Sequence, residues 1–581
     1  MMKDWKQRLT AAVATAAMVA SILPVTAIGL TADATISVTG IDAGDSAAYY
    51  QVVQQNTSTK AWELTTAFEG LNLGQTEANA ATNAEREEQG LDPLTDIDFI
   101  LDGIDADEAA LIAAKASTAD GNLDDTTYEA EVDPGLYLVL ITPASDNKDV
   151  VYKPVIVSAD YDQTTASPNT VAADTESLPA PTTAATKKSP LTLTKTATAE
   201  DGKPNGVAVG DELSFTVESC VPTYTGNFTN PVYKIADVLS AGLTLDQDSI
   251  TVAVEGFTIV EGTDYNITGK SASGYTVTFT KSFLNRVSGN PTVTITYDAT
   301  VTSDAATQVN EMDNTVTLNF SNTPSDTSGA GELKDKTRHY TFDIDGNVFG
   351  SGSGSGTPDK TKEVEKVSVD GNGNIIETIT SSDYPSGLPT GESPLSGAKF
   401  QLRTTAAESS TALHFDSDGK YVTTGGNDYV LSGSDGSITM KGLDEGTYFL
   451  VETEAPAGYS FDPSPKTVVI AATYVDDADG NKVLSSYKIT IDGNESEYTA
   501  KTEKVTVDGE EKDIPIELTD SGAEITATST NTTTLLINKK LGILPSTGGS
   551  GIYFYLVVGG VIAGASAVML RKIRKEEELL A

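Results

Sequence analysis

The sequence predicts a mainly β protein: tandem immunoglobulin-like β-sandwich modules behind an N-terminal α+β module. Runs such as ELSFTVES, GYTVTFTKS, PTVTITYDATV and NTVTLNFSN alternate apolar and polar residues, with Thr and Val dominant, the pattern of half-buried strands. Gly, Asn, Asp and Pro separate the runs, as the turns of a sandwich require. Helical periodicity is sparse. Its clearest instance, DADEAALIAAKA, joins an acidic start to apolar residues at helical spacing inside the first module.

The chain divides in order. Lys3, Lys6 and Arg8 precede the apolar run LTAAVATAAMVASILPV and small-residue sites between Ala27 and Ala34, so 1–34 reads as a secretory signal peptide. Three exported modules follow, at 35–180, 189–322 and 335–540. The Pro/Ala/Thr stretch SLPAPTTAATKKSP links the first two, and FGSGSGSGTPDK interrupts the third as a flexible excursion. The segment 544–581 closes the chain. In it LPSTGG precedes an apolar span, 552–570, and then Arg571, Lys572, Arg574 and Lys575. That span is close to bilayer length, and the basic end stays cytoplasmic by the positive-inside bias, giving a transmembrane precursor.

Composition excludes several classes of function. The 581 residues hold 38 Lys+Arg against 83 Asp+Glu, a net charge of −45, which argues against nucleic acid or anionic lipid as a partner. The single cysteine, Cys220, rules out an internal disulfide framework. His339 and His414 are the only histidines and have no ligand-like spacing, so neither a zinc site nor a Ser-His-Asp enzyme is expected. FDIDGN, FDSDGK and DDADGN lack the acid spacing and terminal Glu of a calcium loop. They read as Asp-Gly turns, and no metal or cofactor is expected.

The second module carries a chemical pattern. LTLTKTAT puts Leu191, Leu193 and Lys195 on one strand face, and NTVTLNF does the same for Asn314, Val316, Leu318 and Phe320. Between them YKIADVLSAGLT sets Asp237 amid apolar neighbours. A lysine, an acid and an asparagine directed at one core are costly as lone polar groups. Burial lowers a lysine pKa and raises that of a carboxylic acid, so both become neutral there. The neutral amine of Lys195 then attacks the carboxamide of Asn314 while Asp237 acts as acid/base and ammonia leaves.

With these residues the chain resembles the sortase-assembled backbone pilins of Gram-positive pili, whose subunits carry intramolecular isopeptide bonds in collagen-adhesin A- and B-type modules. LPSTGG, apolar span and basic tail together resemble the family's cell-wall sorting signal. The resemblance implies recognition of Leu544 and Pro545 and cleavage between Thr547 and Gly548, Thr547 becoming the acyl donor. ADVLSAGLT and NTVTLNFSN resemble the Asp- and Asn-bearing strands. YFLVETEAPAGY resembles the E-box of the B-type modules and implies Glu452 as acid. In this family the reactive lysine precedes SPLSGAKFQL, which implies Lys366 in KEVEKVSVDGNG rather than Lys399. The acceptor is Asn538 in TLLINKK or, alternatively, Asn531, which shares a face with Leu535 and Ile537. The family's Y-P-K pilin motif is missing. The amine that receives Thr547 is therefore assigned in order to Lys188, Lys187 and Lys153, the last in VVYKPVIVS, which resembles an internal strand.

The function implied is a structural backbone subunit of a wall-anchored pilus, secreted, supporting adhesion and not an enzyme beyond its own cross-linking. Its partners are pilin-specific and housekeeping sortases, further copies of itself, peptidoglycan, minor tip or base pilins and host or glycan ligands. The alternatives are a monomeric wall-anchored adhesin and a tethered glycan-acting enzyme.

Overall fold

The computed structural model describes residues 34–56, 59, 61–144, 149–159, 178–226, 228–306, 309–324, 326–344, 363–369, 378–380, 392–507, 509–518, 525–527, 532–541, 561–572 and 574. The protein is mainly β, in several sheets that form sandwich-like layers. The expected signal peptide, the Gly/Ser excursion, Asn531, Leu544, Pro545, Thr547 and Gly548 lie outside the described residues. No helix among the described residues is long and apolar enough to cross a membrane. The helix at 561–572 covers only the second half of the expected span, whose first half is not described.

In the first module the strand Gly135–Thr142 is central, flanked by Ser46–Gln55 and Val155–Ala159. Both its faces are covered, and successive side chains divide between them. Leu136 and Leu138 pack under the helices with Phe99, Ile100 and Ile112, whereas Tyr137, Val139 and Ile141 pack toward the sheet holding Ala34–Thr39. The expected helix is present as Ala106–Lys115. Asp105 caps it, accepting from the backbone of Asp107 and Glu108. Two helices, Glu77–Glu88 and Asp96–Asp102, precede it and were not anticipated. The first has one buried residue, Asn79, and so presents almost no apolar stripe to a sequence reader.

The second module is two facing sheets. One orders Leu193–Ala199, Glu212–Cys220, Thr292–Val301 and Leu243–Leu245. The other orders Tyr265–Ser271, Gly274–Phe279, Tyr233–Leu239, Asn310–Phe320, Gly331–Ile344 and Met440–Leu443. Period-two burial along Glu212–Cys220 and Asn310–Phe320 sends Phe215, Val217, Val316, Leu318 and Phe320 into one core. Each such side chain contributes about 1.5–3 kcal/mol.

The 322/335 boundary falls differently from the expectation. Gly331–Ile344 pairs antiparallel with Asn310–Phe320 from Gly331 to Thr341, then with Met440–Leu443. It thus starts before 335, finishes a sheet of the second module and continues into the third. Its polar first half, GELKDKT, lies beside the earlier sheet, and its last seven residues, Arg338–Ile344, are all buried.

Among the described residues, the third module has a seven-stranded sheet that includes Lys399–Arg403, Gly446–Glu454 and Lys466–Asp476. A four-stranded sheet contains Val364–Val369 and Thr532–Lys539. These two strands, nearly the whole module apart in sequence, lie parallel, with Lys366 opposite Leu536 and Ser368 opposite Asn538. The turn reading agrees with the geometry of FDSDGK and DDADGN, whereas the turn residues of FDIDGN lie outside the described residues. Asp416 accepts from the backbone of Asp418 and Lys420, and Asp477 from that of Asp479 and Asn481.

Candidate functional site

In the second module the strands bring Lys195, Asp237 and Asn314 to one place. Lys195 projects inward from its sheet, and its side chain is fully buried. From the facing sheet, Tyr233–Leu239 and Asn310–Phe320 pair with Leu239 opposite Asn314. Asp237, two residues from Leu239, therefore shares the inward face with Asn314. Lys195 Nζ donates to Asp237 Oδ2 at 2.5 Å and to the Tyr297 hydroxyl at 2.6 Å. Asn314 Nδ2 donates to the same hydroxyl at 2.7 Å, and Asn314 Oδ1 has no hydrogen-bond partner among the described residues. The rings of Phe215 and Tyr297 lie 5.4 and 5.2 Å from the amine.

The electrostatics follow from burial. Loss of water pushes the Lys195 amine down to about 8, with Asp237 opposing the shift. Burial likewise raises the Asp237 carboxyl, against the pull of Lys195. It holds the Tyr297 hydroxyl well above its ordinary value, reinforced by Asp237. The amine and acid are thus each pushed toward neutrality, the state in which an amine is a nucleophile.

The third module brings Lys366, Glu452 and Asn538 together. Lys366 Nζ donates to Asn538 Oδ1 at 2.6 Å and to Glu452 Oε2 at 3.1 Å, and Asn538 Nδ2 donates to Glu452 Oε1 at 2.7 Å. All three residues are buried, and burial lowers the Lys366 amine. A cavity of about 700 Å³ reaches this cluster, lined by Lys366, Glu452, Phe400, Asp462, Lys466 and Lys539. Lys399 stands apart, paired with Glu454 at 2.6 Å in an exposed contact.

Of the three candidate acceptor amines, Lys188 begins the strand Lys188–Pro190, which pairs with Val150–Tyr152, and Lys187 and Lys153 lie just beyond the same end of that pair. Lys188 is exposed and its Nζ donates to Asp42 Oδ1 at 2.5 Å. Lys187 is exposed as well, and its carbonyl accepts from the Lys153 backbone. Lys153 is half-buried, its amine lowered by desolvation and then by Lys187.

Two residues of the second cluster escaped the sequence reading. One is Tyr297. The signal was available: PTVTITYDATV turns Val293, Ile295 and Tyr297 inward, and a buried tyrosine hydroxyl needs a partner. The other is Asp335, whose Oδ2 accepts from the Lys195 backbone at 2.6 Å. It lies on a strand that the sequence reading had assigned to the next module.

Three family models match segments of the chain. Residues 196–330 match the Sgo0707 N2 domain, 389–482 the prealbumin-like fold domain of the SpaA family, and 537–578 the LPXTG cell wall anchor motif. In these segments the chain is similar to modular, wall-anchored surface proteins. Along most of its length it is similar to backbone pilins. It is 24% identical over 486 residues to the trypsin-resistant surface T6 protein of Streptococcus pyogenes, covering 77% of this chain and 80% of that protein. It is 27% identical over 281 residues to fimbrial subunit type 2 of Actinomyces naeslundii, 45% of this chain and 47% of that protein. Among solved structures, the modular three-domain backbone pilin of S. pyogenes aligns with 89% of this chain and 100% of its own, at 17% identity and a TM-score of 0.49.

Proposed function

We propose that this chain is the structural backbone subunit of a sortase-polymerised, cell-wall-anchored pilus, stiffened by two self-made Lys–Asn amide bonds. The observation that carries the reading is the recurrence, in two successive sandwiches ahead of a wall anchor motif, of a buried lysine, acid and asparagine in one core, in direct contact in the third module and joined through the Tyr297 hydroxyl in the second. In each, the neutral amine of Lys195 or Lys366 attacks the side-chain carbon of Asn314 or Asn538. Asp237 or Glu452 serves as acid/base, ammonia leaves and an amide remains. Folding supplies the proximity, worth up to about 7–11 kcal/mol of barrier in well-oriented intramolecular reactions.

After export the precursor is held in the membrane by the apolar tail until sortase cuts between Thr547 and Gly548. A pilin-specific sortase passes Thr547 to Lys188 of another copy, and a housekeeping sortase passes the last subunit to peptidoglycan. Exposure favours Lys188 and Lys187 over the half-buried Lys153. Adhesion through the shaft or through minor pilins completes the role.

The test is expression in a Gram-positive host that supplies the sortases. The subunit yields a ladder of SDS-resistant multimers, which Lys188→Ala combined with Lys187→Ala removes. Monomer alone on the wall of the unsubstituted strain would support a monomeric adhesin instead. The intact mass of the chain falls short of its sequence mass by about 34 Da, one ammonia per bond.

A further inference from the structure

The two clusters differ in how the acid meets the asparagine. In the third module Glu452 touches both reactants, one oxygen on Lys366 Nζ and the other on Asn538 Nδ2. In the second module Asp237 meets Lys195 and the Tyr297 hydroxyl, and the group in contact with both reactants is that hydroxyl, 2.6 Å from Lys195 Nζ and 2.7 Å from Asn314 Nδ2. Its ring is fixed, stacked on Phe215 at 5.1 Å and edge-on to Tyr275 at 5.2 Å.

We propose that Tyr297 is a catalytic residue of the second module, its hydroxyl carrying a proton from the attacking Lys195 nitrogen to the departing Asn314 nitrogen. This rests on the reading of Lys195 and Asn314 as a self-cross-linking pair. The step balances. Asp237 takes one proton from the Lys195 ammonium, and the freed lone pair forms the Nζ–Cγ bond as the Asn314 carbonyl opens to an oxyanion. The carbon is now tetrahedral, so Nδ2 is no longer an amide nitrogen and has a lone pair to accept a proton. Nζ gives its second proton to the Tyr297 oxygen as the hydroxyl gives its own to Nδ2. The Cγ–Nδ2 bond breaks, ammonia leaves, the carbonyl re-forms and Nζ keeps its last hydrogen as the amide N–H. Tyr297 begins and ends as a neutral phenol. This suits a hydroxyl whose ionisation burial opposes. A relay between two nitrogens, with no free proton in a dry core, is what the site needs.

The test uses the full chain, synthesised into urea, folded at pH 5 to hold Lys195 protonated, and jumped to pH 8. The branched tryptic peptides joining Lys195 to Asn314 and Lys366 to Asn538 are then followed by mass spectrometry. Tyr297→Phe retains the ring and slows the Lys195–Asn314 bond by about 10²- to 10⁴-fold, the usual worth of a positioned acid–base group. The Lys366–Asn538 bond forms at the unsubstituted rate and reports that the chain has folded. If Tyr297→Phe disturbs folding, mixtures of light and heavy water decide on the unsubstituted chain. Two protons in flight give a curved dependence of rate on deuterium fraction. A linear dependence, or Tyr297→Phe at full rate, overturns the relay. So does a slowed variant that retains the curvature, because the hydroxyl would then only position. An unsubstituted chain that makes no Lys195–Asn314 peptide would sink the cross-linking reading itself and with it the relay.

Discussion

Lys195 and Lys366 sit where a charged amine is costly, and each is accompanied by an acid and an asparagine. Removing one member exposes the cost of the others. Asp237→Ala leaves Lys195 buried without its carboxylate, a change worth about 3–5 kcal/mol in buried pairs. The same change removes the acid/base group, and the mass deficit of the chain drops from about 34 to about 17 Da. A retained 34 Da deficit would show that Asp237 is dispensable. His339, beside the same core, makes a pH prediction. It is buried against Phe215, its Nδ1 meets the carbonyl of Pro204, and burial lowers it to about 4, helped by Lys195. The unfolded chain binds this proton near pH 6.5 and the folded chain only near 4, so stability is complete above the higher value and lost as pH falls between the two. From pH 7 to pH 5 the loss is about 2 kcal/mol. Thermal unfolding of His339→Phe, compared with the unsubstituted chain at both pH values, measures it, and equal pH sensitivity in the two would rule His339 out.

Among the elements, the parallel pair Val364–Val369 and Thr532–Lys539 decides the third module. In a parallel ladder with Lys366 opposite Leu536, Asn538 is the diagonal neighbour of Lys366 on the same face. The register alone sets the amine against the carboxamide. Asn538→Ala therefore loses one ammonia deficit of about 17 Da, whereas Asn531→Ala loses none. The reverse result would require a different strand register. The bond closes a loop across 172 residues, worth on the order of 5 kcal/mol on the chain-entropy account. The melting temperature of Asn538→Ala reads that loss. More was legible in other strands, because period-two burial marks which residues of NTVTLNF and LTLTKTAT face inward and the E-box resemblance marks Glu452. The helices Glu77–Glu88 and Asp96–Asp102 were not. Ala-rich, polar EANAATNAEREE carries helix propensity with almost no apolar face, so periodicity had little to detect. Tyr297 and Asp335 were missed for another reason. Their roles depend on which strands are neighbours, and strand order is a long-range property that local alternation does not encode.

At the scale of the molecule, Gly331–Ile344 is shared by two modules, and Arg338 on it is the fastening. Its side chain is 3% exposed and pairs with Glu311 at 3.2 Å, Asp477 at 2.8 Å and Glu517 at 2.8 Å. Glu311 belongs to the second module's sheet, and Asp477 and Glu517 to the third. Glu311, Asp313 and Glu517 converge closely enough to suggest a cation site, yet the guanidinium already supplies positive charge there. Backbone bonds add to the joint: Val207 to Tyr340, Val209 to Gly442, and Tyr340 to Asn205. Gly442 is held at φ 80°, and a Cβ on it would lie 2.7 Å from Ala306 and 2.8 Å from Val209, so only glycine allows the approach. A strand common to both sheets, with a buried charge cluster across the joint, should make the modules unfold together. Calorimetry of the full chain is therefore expected to give one transition for both. Arg338→Ala leaves the buried Glu311 and the nearly buried Asp477 without their cation, while the half-exposed Glu517 keeps Lys336, and costs about 3–5 kcal/mol. Gly442→Ala opens the same joint by steric strain without touching charge. If the clamp is what couples the modules, both substitutions split the transition in two. If the unsubstituted chain already melts in two steps, the shared strand transmits no cooperativity and the modules are mechanically independent.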